Sequence, residues 1–234
     1  MTRAVSFCFD DGLRESADKV ARMFAARGLS AAFCVLAAPE LANDPYIRAG
    51  DVADWGFWRE AGAAGHEIAA HGFAHEHLGR MPFGEACGSV ERALGVLARE
   101  LPGFDASASI FHLAYMSAPL EVVRWIGQRA LAVRVVTGGL GLNAWDKLAR
   151  GGPVDCMAWG PGPSDEPARA RIERFLEAEQ GWLVLVFHGL DGEGWGTLSS
   201  HTLAQMLDRL LAAGVAIEPP NRVLNRLLRE TPPR

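Results

Sequence analysis

Short apolar runs alternate with longer amphipathic stretches along this chain, and no other feature limits its fold as much. The apolar runs are Ala4–Phe9, Ala31–Leu36, Glu67–Ala70, Ser109–Leu113, Leu131–Val136, Val154–Ala158, Leu183–Phe187 and Val215–Ile217. Between most of them lie Ser16–Ala26, Val52–Ala64, Gly84–Leu101, Ala118–Arg129, Glu166–Ala178 and Ser200–Ala213. These place apolar residues at helical spacing, as Val20, Met23 and Phe24 do in the first. Gly28 in AARGL and Gly214 in LAAGV stand where helices would end. Strand–helix alternation implies a parallel sheet. Seven or eight such units in 234 residues fit a closed or nearly closed barrel, so the expected fold class is α/β, a distorted (β/α)7-8 barrel. No internal repeat or low-complexity tract divides the chain. The Gly- and Pro-rich segment Gly151–Pro163 reads as loops around one strand, so a single domain over 1–234 is expected.

Composition removes several function classes. The net charge is -5 with no basic run, which argues against nucleic acid as a partner. No apolar run reaches membrane-spanning length. The N-terminal MTRAVSFCFDDG enters a strand almost at once, so no signal peptide is read and a cytoplasmic location is expected. An exported protein with its signal removed would read the same. Cys8, Cys34, Cys87 and Cys156 form no Cys-x-x-Cys pair, and buried free thiols are expected rather than disulfides or ligands.

In such barrels chemistry sits at the C-terminal ends of the strands. The first strand runs into Asp10 and Asp11 in SFCFDDGL. Adjacent carboxylates repel and are costly to bury without compensation, although Asp-Gly alone also signals a solvated turn. The segment GHEIAAHGFAHEHL holds His66, His71, His75 and His77, four of the seven histidines. His71 ends another strand. His71 and His75 are four apart, and in a helical turn their rings would share one face and a metal. HEIAAH is one residue longer than the zinc-protease H-E-x-x-H, so His66 and His71 would not share a face. A third strand, WLVLVFHGL, ends at His188. Each histidine alone fits a satisfied core residue. Together with the carboxylates they fit a divalent metal, with zinc the expected ion, held by two histidines and one carboxylate with a position left open for water.

These pieces resemble the polysaccharide deacetylases, the large carbohydrate-esterase family that includes chitin, peptidoglycan and xylan deacetylases. The matching motifs are FCFDDG (Phe7–Gly12), HGFAH (His71–His75) and LVLVFHG (Leu183–Gly189), with WREAGAAGHEIAAHG (Trp58–Gly72) as the run-up to the histidines. They occur in family order between Val5 and about Val215. The resemblance implies a single deacetylase-type catalytic domain that removes acetyl from an N- or O-acetylated sugar or polysaccharide. It implies Asp10 as general base, Asp11, His71 and His75 as metal ligands, and His188 as general acid. It also implies that the backbone N–H of Tyr115 helps stabilise the oxyanion.

Two family motifs fit poorly. Where the family places Arg-x-Pro-Tyr, FHLAYM has His112 for the Arg and Ala114 for the Pro, and keeps Tyr115. The family's Asp–Trp motif, which supports the acid histidine and lines the acetyl pocket, is matched loosely by Asp155 and Trp159 in VDCMAW. Arg134 and Asn143 in VRVVTGGLGLN resemble the equivalent strand and loop of other branches. An arginine inside an apolar strand must find an acceptor or remain costly to bury. Arg134 is therefore expected to reach the barrel mouth and support Asp10; the alternative is an outward side chain snorkelling between helices. Trp159, Trp182 and Trp195 offer sugar-stacking faces or core packing, with core favoured for Trp182. Two other activities fit the same residues. One is hydrolysis of another amide, such as a cyclic ureide or imide. The other is a metal-holding pseudoenzyme or carbohydrate-binding module, favoured by His112 in place of the arginine.

Overall fold

A computed structural model describes residues 3–138, 140–149 and 151–230. The chain builds β1 (Arg3–Phe9), α1 (Arg14–Ala25), β2 (Ala32–Val35), α2 (Trp55–Ala63), β3 (Glu67–Ala70), α3 (Phe83–Glu100), β4 (Ile110–His112), α4 (Leu120–Gly127) and β5 (Ala132–Val135). It continues with β6 (Leu142–Asn143), α5 (Trp145–Leu148), β7 (Val154–Asp155), β8 (Met157–Ala158), α6 (Asp165–Leu176), β9 (Gly181–Phe187), α7 (Ser200–Ala212), β10 (Ala216–Ile217) and α8 (Pro220–Glu230).

The strands form two sheets. One runs β3-β2-β1-β9 in parallel, with β10 also on β1 and with β8 and the antiparallel β6 also on β9. The other is β4-β5-β7, all parallel. The expected strand Val154–Ala158 is interrupted at Cys156. Its first part pairs with β5 and its second with β9, so one apolar run carries the chain between sheets. β4 lies against β3 across the remaining seam, with no ladder between them among the described residues. No helix among the described residues is long and apolar enough to cross a membrane.

Period-two alternation divides the core. Val5, Phe7 and Phe9 of β1, Phe33 and Val35 of β2, and Leu183, Leu185 and Phe187 of β9 join the larger apolar cluster with the helices. The alternate residues Ala4, Cys8, Ala32, Cys34, Trp182, Val184 and Val186 face a second cluster between the sheets. Helix α8 supplies Val223, Leu224 and Leu227 to that inner cluster. Each contributes roughly 1.5–3 kcal/mol of burial as an upper range. Asn221 fixes the docking: its Oδ1 accepts from Ile110 N at 2.7 Å, and its N donates to Glu67 Oε2 at 2.8 Å. Those partners begin β4 and β3, so α8 closes the N-terminal end of the strands.

Candidate active site

Asp10 and Asp11 leave β1 by a sharp turn. Asp10 still belongs to the ladder, its N donating to Phe187 O at 2.8 Å. Asp11 and Gly12 then take left-handed backbone, with φ of 70° and 78°. That conformation is uncommon for a residue with a side chain. A Cβ on Gly12 would also meet Trp58 Cζ2 at 3.0 Å. The turn separates the carboxylates, and both are almost fully buried.

Asp10 faces Arg134, which β5 points into the space between the sheets. Arg134 Nη1 donates to Asp10 Oδ1 at 2.9 Å, and Nη2 to Oδ2 at 2.5 Å. The expected support of Asp10 by Arg134 thus has a fork geometry here. Burial alone would push Asp10 up, but the guanidinium, aided by His71, holds its carboxyl well below the usual carboxylate range. His112, at the position where the family motif has arginine, pairs in register with Arg134 across β4–β5. It is fully buried, neither ring nitrogen has a hydrogen-bond partner, and burial with the Arg134 charge pushes it well below the usual imidazole range. It is therefore neutral and does not replace the arginine's charge.

His71 and His75 leave β3 in a bend, not in the helical turn expected from their spacing, and His75 has φ of 58°. The bend is pinned by Ala37 N to Gly72 O at 3.2 Å and Ala38 N to Phe73 O at 2.7 Å. Glu76 braces it, accepting from Ala74 N and from Ser89 Oγ. The two rings lie 5.4 Å apart between centroids. His71 Nδ1 donates to His112 O at 3.0 Å, which leaves Nε2 facing the carboxylates. Both Nε2 atoms lie 3.4 Å from Asp11 Oδ1, but neither is aligned to donate to it.

Asp11, His71 and His75 each offer a ligand atom within 4.8 Å of the other two. A buried carboxylate oxygen without an aligned donor, facing two imidazole nitrogens, makes this group a candidate site for a divalent cation. Burial would raise Asp11, but the histidines around it hold it below its ordinary value. Burial would lower His71, but Asp10 and Asp11 raise it, so a cation would compete with its proton. Burial and the neighbouring His71 lower His75.

These groups share a cavity of about 490 Å³ with Asp44, Tyr46, Tyr115, Met116, His188 and Trp195. His188 follows β9 into it, and its Nδ1 is buried without a partner. Trp195 meets the His188 ring edge to face at 5.0 Å. Tyr115, held at φ of 54°, lies beside His75 and His77 with ring centroids 4.7 and 5.0 Å away. Four strands, β1, β3, β5 and β9, therefore deliver Asp10 and Asp11, His71 and His75, Arg134, and His188 to one place.

Other expected residues lie elsewhere. Asp155 does not support His188. Its carboxylate accepts from Thr137 N at 2.7 Å and from Gly138 N and Gly141 N at 3.2 Å, organising the loop after β5. Trp159 does not line the cavity; it stacks on Phe187 at 5.6 Å and packs against the core. Asn143 is structural, accepting from Asp155 N and donating to Asp155 O at 2.9 Å. Trp182 is core, with its indole N–H donating to Ser6 Oγ at 2.8 Å. His66 is occupied by Ala31 N at 3.1 Å. All four cysteines are buried free thiols. Asp44 was not anticipated. Its loop carries no motif, and only the acidic residue in NDPY marks it.

Residues 2–99 match the family model described as polysaccharide deacetylase. No curated protein matches the chain. Among solved structures, a Mycobacterium smegmatis protein assigned to the polysaccharide deacetylases has a TM-score of 0.72 at 14% identity, covering 99% of this chain and 92% of that one. The family 4 carbohydrate esterase domain of a multidomain xylanase from the Trinervitermes trinervoides hindgut metagenome gives 0.64 at 14%, covering 98% and 91%. A family 4 pseudoenzyme from Bacillus anthracis gives 0.61 at 12%, covering 95% and 66%. At these identities the structural likeness establishes the α/β deacetylase fold.

Proposed function

We propose that this chain is a divalent-metal-dependent hydrolase of the polysaccharide deacetylase family that removes acetyl groups from an N- or O-acetylated carbohydrate, a reading supported by the family-model match over residues 2–99 and by the shared fold. One observation carries the proposal. Asp10, held in a fork by the buried Arg134 behind it, lines a single cavity with the Asp11, His71 and His75 group and with His188.

Asp11, His71 and His75 would hold the metal, and zinc suits their two-imidazole, one-carboxylate donor set. When bound, the metal supplies a Lewis acid for the acetyl carbonyl and lowers the pKa of water. Asp10, kept ionised by Arg134, accepts a proton from the attacking water. Arg134 also fixes the direction in which that carboxylate points, because both its oxygens are engaged by the guanidinium. His188 donates a proton to the departing amine or alkoxide. Trp195 and Tyr46 give the cavity aromatic walls suited to a sugar face. The backbone N–H of Tyr115 is proposed as a donor to the developing oxyanion.

The test is acetate release from N-acetylated and O-acetylated sugars by metal-loaded and chelator-treated protein, run beside a ring-opening assay on a cyclic ureide and a cyclic imide. Metal-dependent acetate release supports the proposal; ring opening alone would replace it. The pseudoenzyme reading has one observation in its favour, the neutral His112 at the motif position of the arginine. Arg134 weighs against it, since the structure supplies the guanidinium from the neighbouring strand.

A further inference from the structure

We propose that Asp44 is a positioning residue for His75, and that it sets the metal affinity of the site by holding His75 in the tautomer that leaves Nε2 free to ligate. The two histidines of the Asp11, His71 and His75 group face the same requirement. A neutral imidazole carries one N–H, and a ligand must carry it on the nitrogen turned away from the metal. For His71 that nitrogen is Nδ1, and the His112 carbonyl accepts from it at 3.0 Å. For His75, Nε2 faces Asp11 and Nδ1 faces Asp44, whose Oδ2 lies 3.1 Å away. The pair is within hydrogen-bonding distance, although Nδ1 is not aligned on the carboxylate and is otherwise without a partner.

The surroundings of Asp44 show a carboxylate built into place. Its side chain is 11% exposed, beside a His75 side chain that is 9% exposed. Oδ1 accepts from Tyr46 N at 2.9 Å, closing the turn of its own loop. Oδ2 also accepts from the Tyr115 hydroxyl at 3.1 Å. Ile47 N donates to Asp44 O at 3.2 Å, and the Ile47 side chain anchors the loop in the interior. A carbonyl at His71 and a carboxylate at His75 are not equivalent. The carboxylate's full negative charge makes the imidazole it holds a stronger donor to a cation. Loss of such an outer partner commonly lowers metal affinity by about 10–100-fold.

This inference rests on the metal-ligand assignment above but not on the reaction, so its test does not use acetate release. The full chain and its Asp44→Asn variant would be titrated with zinc against a chromophoric chelator. Asn keeps the Oδ1 acceptor for Tyr46 N, but an NH2 replaces Oδ2 and cannot accept from His75 Nδ1 or from the Tyr115 hydroxyl. The expected result is a zinc affinity about 10–100-fold weaker in Asp44→Asn. Nitrogen-15 NMR of the metal-free wild-type chain should show neutral His75 protonated at Nδ1, and that population should fall in Asp44→Asn. Unchanged affinity and an unchanged tautomer in Asp44→Asn would overturn the inference alone. A wild-type chain that takes up no zinc would overturn it together with the ligand assignment. Should Asp44→Asn fail to fold, the wild-type spectrum decides: a His75 protonated at Nε2 overturns the inference.

Discussion

Replacing Arg134 with methionine tests how the site keeps a general base ionised inside the protein. Arg134 is fully buried and its fork occupies both oxygens of Asp10. Methionine fills much of the space but leaves the carboxylate with only His71, 3.5 Å from Oδ2, and His188 to favour its ionised form. Breaking a buried pair from one side costs about 3–5 kcal/mol. Burial, the largest influence on Asp10 and now unopposed by Arg134, would carry its pKa from well below the ordinary value to above it. In the parent, a lowered folded-state pKa gives stability that is present above the unfolded value of 3.8 and lost as pH falls through the folded one. In Arg134→Met the sign reverses, and stability falls as pH rises above 3.8. The gap between the proteins should therefore be about 3–5 kcal/mol near pH 7 and narrow on acidification towards pH 4. The assay is urea denaturation across that range, with a pH–rate profile for acetate release from the substrate the parent prefers. Near neutral pH the variant should lose on the order of a hundred- to ten-thousand-fold in rate, and its acid limb should move to higher pH. Adding Asp10→Asn to Arg134→Met should recover most of the lost stability, because no buried charge remains. A variant with the parent's acid limb, destabilised by less than about 1 kcal/mol, would refute the reasoning.

Three further outcomes follow from other parts of the structure. His188→Ala should keep its metal and lose most rate on amides and alkyl esters, with the mildest loss on activated esters whose leaving groups need no proton; equal loss across leaving groups would remove the acid role. Burial pushes Glu67 up to about 8, opposed by the Asn221 N–H, so folded protein holds a proton there that unfolded protein has lost, and stability should fall as pH rises from about 4.5 through about 8. Glu67→Gln should flatten that part of the pH–stability curve and gain about 1–3 kcal/mol at pH 8, discounted for the partial exposure of the residue, with no gain below pH 4. Asp155→Ala should cost about 1–3 kcal/mol by releasing the N–H groups of Thr137, Gly138 and Gly141, while zinc affinity by chelator competition stays at the parent value.

The strands and helices that position the site were legible because their cause is local. Period-two and helical spacing recover β1, β3 and β9 and the helices α1, α3 and α7 to within a few residues. The helix α8 was missed although Val223, Leu224 and Leu227 have helical spacing and Pro220 opens it. The strand β6 has two residues, and only its antiparallel pairing with β9 defines it. At the site, residues at strand ends were legible because parallel strands bring their C-terminal ends to one side. The bend at His75 was not, since spacing four apart suggests a helical turn until the left-handed backbone is seen. Arg134 could be proposed from cost alone, because a buried guanidinium demands an acceptor. Asp155 and Trp159 were misplaced, because their assignment to the cavity came from a loose motif match. Their contacts show instead that the carboxylate satisfies loop amides and that the indole packs on Phe187. Asp44 reaches His75 through a loop between β2 and α2, a contact that no sequence pattern encodes.

The central claim is that two adjacent carboxylates divide their labour, Asp11 holding the metal and Asp10, restrained by Arg134, taking the proton. The most direct measurement is the zinc content of Asp10→Asn and Asp11→Asn purified in parallel with the wild-type chain, with acetate release measured on the same samples. Asp10→Asn should retain about one equivalent of zinc, as a three-ligand site requires, and lose on the order of a hundred- to ten-thousand-fold in rate. Asp11→Asn should lose the zinc. An Asp10→Asn protein that loses its metal, or one that keeps it and turns over like the parent, would contradict the division.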